Sequence, residues 1–232
     1  ADVDVELCGP RSGTNGRHPL PDPQTFASFL RSFGVNGDSQ IVVYDAGADM
    51  WAARFWFLCR WIGHSAVAVL NGGIRAWTEQ GAAFEQGLPI LPARGTIEPH
   101  VDDRIVVRAD EVLALLGTGS MTVLDARAAD RFAGENETID PVAGHIPGAQ
   151  NRFFKLNFGD DGRFLAPDVL RDAFALHDAQ PEWIVHQCGS GITAAVNLLA
   201  MESAGLENSR LYAGSWSEWV ADPKRPIERG QS

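Results

Sequence analysis

Residues 184–219 read IVHQCGSGITAAVNLLAMESAGLENSRLYAGSWSEW, and this stretch decides the fold. A short apolar run leads into a cysteine, a turn punctuated by Gly189 and Gly191, a helical segment and a second β-rich run, Arg210–Tyr212. In TAAVNLLAM the pairs Ala195/Leu199 and Val196/Ala200 recur at i+4, the spacing of one helix face. An earlier stretch, Ile41 to Trp77, has the same layout: Gly63, Gly72 and Trp77 keep the mutual spacing of Gly205, Gly214 and Trp219. Aligning the leading strands sets Asp45 where the later copy has Cys188. The chain thus reads as two related units with one thiol centre.

Further short runs, Ile41–Tyr44, Val67–Leu70, Met121–Leu124 and Trp183–Val185, have the look of buried parallel strands. Helical faces lie between them at Ala109–Leu116 and Asp168–Leu176, and Trp51–Trp61 is apolar nearly all round, as a helix buried between layers would be. The expected class is α/β: two domains, each an open, mostly parallel sheet with helices on both faces. Residues 87–103 hold three prolines and two glycines with no clear period, which sets a linker over 89–103 between domains 1–88 and 104–232. The first domain has no counterpart to the LDAR strand end or the AGHIPGA loop of the second, so it is expected to be truncated at its N-terminus.

The 232 residues are 45% hydrophobic and 21% charged, as in ordinary globular proteins. A net charge of −11 with no Lys/Arg run argues against nucleic-acid binding. No stretch approaches the roughly 20 apolar residues of a membrane span. Cys8, Cys59 and Cys188 are too few and too scattered for a disulfide framework or a metal knuckle, which suits a reducing, cytoplasmic setting. The histidines show no metal-ligand spacing either, and no cofactor is expected.

A cysteine at the carboxyl end of a buried strand, just before a helix, sits where ligands bind in open α/β folds. Glycines there let backbone amides face inward, and the nest they form with the helix dipole favours an anion. A thiolate is such an anion, and it is the nucleophilic form of the side chain. Cys59, inside an apolar helix, is read as inert.

The motifs LDARAADRFAG, AGHIPGA, CGSGIT and GSWSEW, in this order over residues 124–219, resemble the tandem rhodanese-domain sulfurtransferases. The six-residue loop is similar to that of the 3-mercaptopyruvate sulfurtransferase type. The resemblance implies transfer of sulfane sulfur through a covalent persulfide on Cys188 to a thiol, thioredoxin or cyanide. It makes the first half an inactive domain. It assigns Gly189, Ser190, Gly191, Ile192 and Thr193 to the active-site loop and Arg131 to the donor's carboxylate or sulfonate. Some members pair the loop serine with a histidine and an acid from the first domain as a proton relay; Ser190, His18 and Glu6 stand at those positions. Arg127 is read as structural, as are His145 and His186. Relatives of this type often carry a second donor-binding arginine after the first, yet GENETIDPVAGHIPG, residues 134–148, contains none.

Thiosulfate is therefore an alternative donor, and a non-enzymatic rhodanese-like binding module is a second alternative. A phosphatase on the same fold needs an arginine six residues after the cysteine, where this chain has Ala194.

Overall fold

The computed structural model describes residues 1–46, 50–85, 87, 92–175, 177 and 179–230. Its first half runs α1 (Pro23–Ser32), β1 (Ile41–Val43), α2 (Met50–Trp61), β2 (Val67–Val69) and α3 (Gly73–Glu79). The second half continues with β3 (Val106–Val107), α4 (Ala109–Leu115), β4 (Thr122–Asp125), α5 (Ala129–Ala133), β5 (Gln150–Asn151), α6 (Pro167–Ala175), β6 (Ile184–Gln187), α7 (Thr193–Ser203), β7 (Arg210–Tyr212) and α8 (Ser215–Trp219). The internal repeat is visible in the element order, since β1–α2–β2–α3 matches β6–α7–β7–α8. Leu176, the expected end of α6, lies outside the described residues, as do five positions within 86–91, the last three of them at the start of the expected linker.

Five parallel strands of the second half form one sheet in the order β3-β7-β6-β4-β5, while β1 and β2 pair in parallel separately. Central β6 aligns Val185 with Val123 and His186 with both Leu124 and Leu211. Alternation along the strands divides the apolar side chains between the two sheet faces. Val123, Val185 and Tyr212 pack with Trp216 and Trp219 on one side. Leu124 and Ile184 pack with Leu170, Phe174 and Met201 on the other.

Helix α2 lies against α7, its counterpart in the repeat. Because α2 is apolar around most of its circumference, it has no free face to give to water; Trp56, Phe57, Leu58 and Trp61 are buried in a core shared with Ala195, Val196 and Leu198. Burying each such large side chain contributes about 1.5–3 kcal/mol. That shared core fixes the first half against the sheet carrying Cys188. Residues 95–102 follow the first half closely, with the Gly95, His100 and Asp102 amides donating to Arg31, Ile62 and Trp61 carbonyls. Among the described residues no helix is long and apolar enough to cross a membrane.

Candidate active site

Cys188 lies one residue beyond β6, at the carboxyl end of the central strand, and is 2% exposed. The Gly191 amide donates to its Sγ at 3.1 Å. Gly191 takes φ +78°, and a Cβ there would stand 2.2 Å from the Ala213 carbonyl oxygen, so the turn that aims this amide at sulfur requires glycine. Buried Ile192 then leads into α7 at Thr193.

Residues 214–217 support the loop from behind. Cys188 N–H donates to Ser215 Oγ at 3.1 Å, and that hydroxyl donates to the Tyr212 carbonyl at 2.9 Å. Trp216 and Ser217 amides donate to the Cys188 and Gly189 carbonyls at 3.0 and 2.9 Å. Ser215 has φ +53°, unusual for a residue with a Cβ, and its two hydrogen bonds hold it there. The indoles of Trp216 and Trp219 are fully buried and donate to the Val142 and Pro226 carbonyls, fixing α8 as a rigid base.

The N-terminal loop of the first half closes over this cradle. His18 Nδ1 is 2.7 Å from Ser190 Oγ. Burial, followed by the charges of Arg54, Arg11 and Arg17, pushes His18 down to about 4, so its imidazole is neutral at pH 7. Glu6 is not brought to His18: its carboxylate accepts from the Asp2 backbone amide, and no hydrogen bond joins it to His18 among the described residues. Arg54, on α2 and wholly buried, donates to the Gly191 carbonyl at 3.3 Å and to the carbonyls of Leu7, His18 and Pro19 at 3.0–3.4 Å. One guanidinium thus joins the reactive loop to the strand of chain that carries His18. Its burial lowers its pKa, and the nearby Cys8 and Cys188 sulfurs act the other way.

Arg131, on α5, lies beside the loop and is held by Glu137 at 2.9 Å and Asp140 at 3.4 Å. Arg17 forms an ion pair with the same Asp140, and its backbone amide donates to Ser217 Oγ at 3.0 Å. Both guanidiniums face Gly189: the position of a Cβ there is 2.8 Å from Arg17 Nη2 and 3.6 and 3.8 Å from Arg131 Nη2 and Nη1. Arg127 by contrast is buried, paired to Asp125 at 2.6 Å, bonded to the Gly144 carbonyl and stacked over Trp216, which fits the structural reading.

A rhodanese-like domain model matches residues 5–80 and 108–222. The chain belongs to the rhodanese-like domain family. It is 47% identical over 234 residues to a probable 3-mercaptopyruvate sulfurtransferase of Pseudomonas aeruginosa, covering 99% of this chain and 82% of that protein. It is 38% identical to a putative thiosulfate sulfurtransferase of Mycobacterium tuberculosis, over 98% of this chain and 80% of the relative. The solved 3-mercaptopyruvate sulfurtransferase from Leishmania major superposes with a TM-score of 0.85 at 31% identity, covering 97% of this chain and 63% of that one.

Within this rhodanese framework the first half keeps an anion where the second has its cysteine. Asp45 Oδ2 accepts from the Trp51 and Ala52 amides at 3.0 and 3.2 Å, capping α2. Cys59 is fully buried, and burial alone raises its pKa. His145 stacks on Phe132 and bonds its carbonyl, while His186 bonds Ser209 beneath the sheet, so neither reaches the cradle.

Sequence reasoning missed Arg17, Arg54 and Ser215. Arg54 had a readable signal, since an arginine in a helix apolar all round must be buried with partners. Arg17 had one too, as the immediate neighbour of His18.

Proposed function

We propose that this rhodanese is a sulfurtransferase that moves sulfane sulfur from 3-mercaptopyruvate, through a persulfide on Cys188, to a thiol, thioredoxin or cyanide. The observation that carries this reading is the cradle at Cys188, with the Gly191 amide on sulfur and two guanidiniums beside the loop. The 47% identical relative named for 3-mercaptopyruvate supports the donor. Cys188 thiolate attacks the donor sulfur; the S–S bond forms as the C–S bond breaks, and the enolate that leaves takes a proton and becomes pyruvate. An acceptor thiolate then attacks the outer sulfur and Cys188 departs as thiolate; with cyanide the product is thiocyanate. Arg131 holds the donor carboxylate, a task suited to a guanidinium fork.

Neutral His18 and Ser190 supply a path for the proton that leaves the donor thiol and reaches the enolate carbon. His18→Ala is expected to lower kcat with 3-mercaptopyruvate by about 10–100-fold at pH 7. Because His18 titrates near 4, the acid limb of wild-type kcat should fall there and vanish in the variant. A limb centred near the ordinary histidine value, about 6.5, would contradict the assignment. The same shift makes the fold less stable as pH falls from about 6.5 through 4, since the unfolded chain then binds the proton more readily.

Thiosulfate is the second donor reading, favoured by the Mycobacterium relative's name. Measuring kcat/KM for both donors with cyanide as acceptor decides between them. A larger value for 3-mercaptopyruvate is expected; the reverse order would overturn the donor assignment.

A further inference from the structure

We propose that Arg17 is the second donor-binding arginine of this enzyme, supplied by the first half in place of one absent from residues 134–148. The inference rests on the sulfurtransferase reading and deepens it.

Three observations carry it. Arg17 and Arg131 reach the loop from opposite halves of the chain and are anchored on the two oxygens of one carboxylate, Oδ1 and Oδ2 of Asp140, whose side chain is 2% exposed. Each arginine is thereby held at one amino group while another stays open: Arg17 Nη2 and Arg131 Nη1 form no hydrogen bond among the described residues, and both stand within 4 Å of the Cβ position that Gly189 leaves empty. The backbone delivers Arg17 there by design of its own geometry. Gly16 takes φ +83°, and a Cβ on it would be 2.7 Å from the Gly214 carbonyl, so only glycine brings the chain close enough for the Arg17 amide to bond Ser217.

Two open N–H groups from two forks, over a loop with no side chain in the way, match the paired oxygens of a carboxylate or a sulfonate. Glu137 and Asp140 already offset the charge of the two arginines, so it is the open amino groups, not net charge, that would hold a donor's paired anionic oxygens. Asp140 is a positioning residue here. His18 follows Arg17 directly, so a single loop of the first half supplies both an anion contact and the partner of Ser190.

The test separates the two half-reactions. Arg17→Ala and Arg17→Lys are compared with wild type for persulfide formation from 3-mercaptopyruvate and from thiosulfate. Transfer to cyanide is measured separately, from enzyme preloaded with inorganic polysulfide. Arg17→Ala is expected to lower donor kcat/KM by about 10–100-fold, mainly through KM, with the cyanide step within about twofold of wild type. Arg17→Lys should recover part of the loss, keeping charge without the fork. An unchanged donor kcat/KM in Arg17→Ala, or an equal fall in both half-reactions, would overturn the role of Arg17. A wild-type chain that takes sulfur from neither donor would instead overturn the sulfurtransferase reading beneath it.

Discussion

Cys188→Ser is expected to lower turnover with either donor by at least about 10⁴-fold, the scale on which removing a nucleophile acts. Its melting temperature should stay within about 2 °C of wild type, because the substitution is nearly isosteric and a serine Oγ can accept the Gly191 amide as sulfur does. The loss is chemical: a hydroxyl at this position neither ionises near neutral pH nor forms a bond to sulfane sulfur that a thiol can later reverse. Steady-state assays beside a thermal melt check both halves of the prediction. Residual activity within tenfold of wild type would move the reaction centre elsewhere.

Arg54→Met should destabilise the protein by roughly 2–4 kcal/mol, because the carbonyls of Leu7, His18 and Gly191 lose their donor together while Pro19 keeps only the Gly9 amide. Relief of the buried charge offsets part of that cost. For a chain of this length the melting temperature should fall by about 5–15 °C. Activity should fall further than stability explains, since Gly191 and His18 are positioned by the same guanidinium. Arg54→Lys should not restore it, because one ammonium cannot span carbonyls reached by two guanidinium nitrogens. Urea unfolding and kcat at a temperature where the variant is folded measure the two effects; an unaltered midpoint would remove Arg54 from the frame.

The repeat, the central strand and the cysteine cradle were legible because they are local. Strand, turn and helix follow each other within residues 184–203, and the glycine spacing of the second copy reappears in the first. Strand ends shifted by one or two residues, as at Ile41–Val43 and Ile184–Gln187, where hydrogen-bond pairing rather than side-chain type sets the limit. Strands β3 and β5 carried too little pattern to be seen: each is two residues long, and Gln150–Asn151 has no β-branched side chain at all. The GSWSEW motif was recognised by likeness, and its physical reason emerged only with Ser215 and Trp216 bonded to Cys188.

The proposed donor side of the site was legible in part. Arg131 was named from its motif, yet the gap after it pointed to a missing arginine, and Arg17 lies far away in sequence on a loop of the other half. Its approach rests on contacts between the two halves, the Gly16 turn against Gly214 and the Arg17 amide on Ser217 Oγ. Glu6 illustrates the reverse case, since the family resemblance assigned it as a relay acid but its carboxylate accepts from the Asp2 amide.

The most direct measurement is the mass of the intact protein after brief exposure to 3-mercaptopyruvate, before any acceptor is added. Wild type is predicted to gain one sulfur atom, lost again on addition of cyanide with an equivalent of thiocyanate, while Cys188→Ser gains none. Thiocyanate formation without added mass on the wild type, or an equal gain on the serine variant, would contradict a persulfide on Cys188.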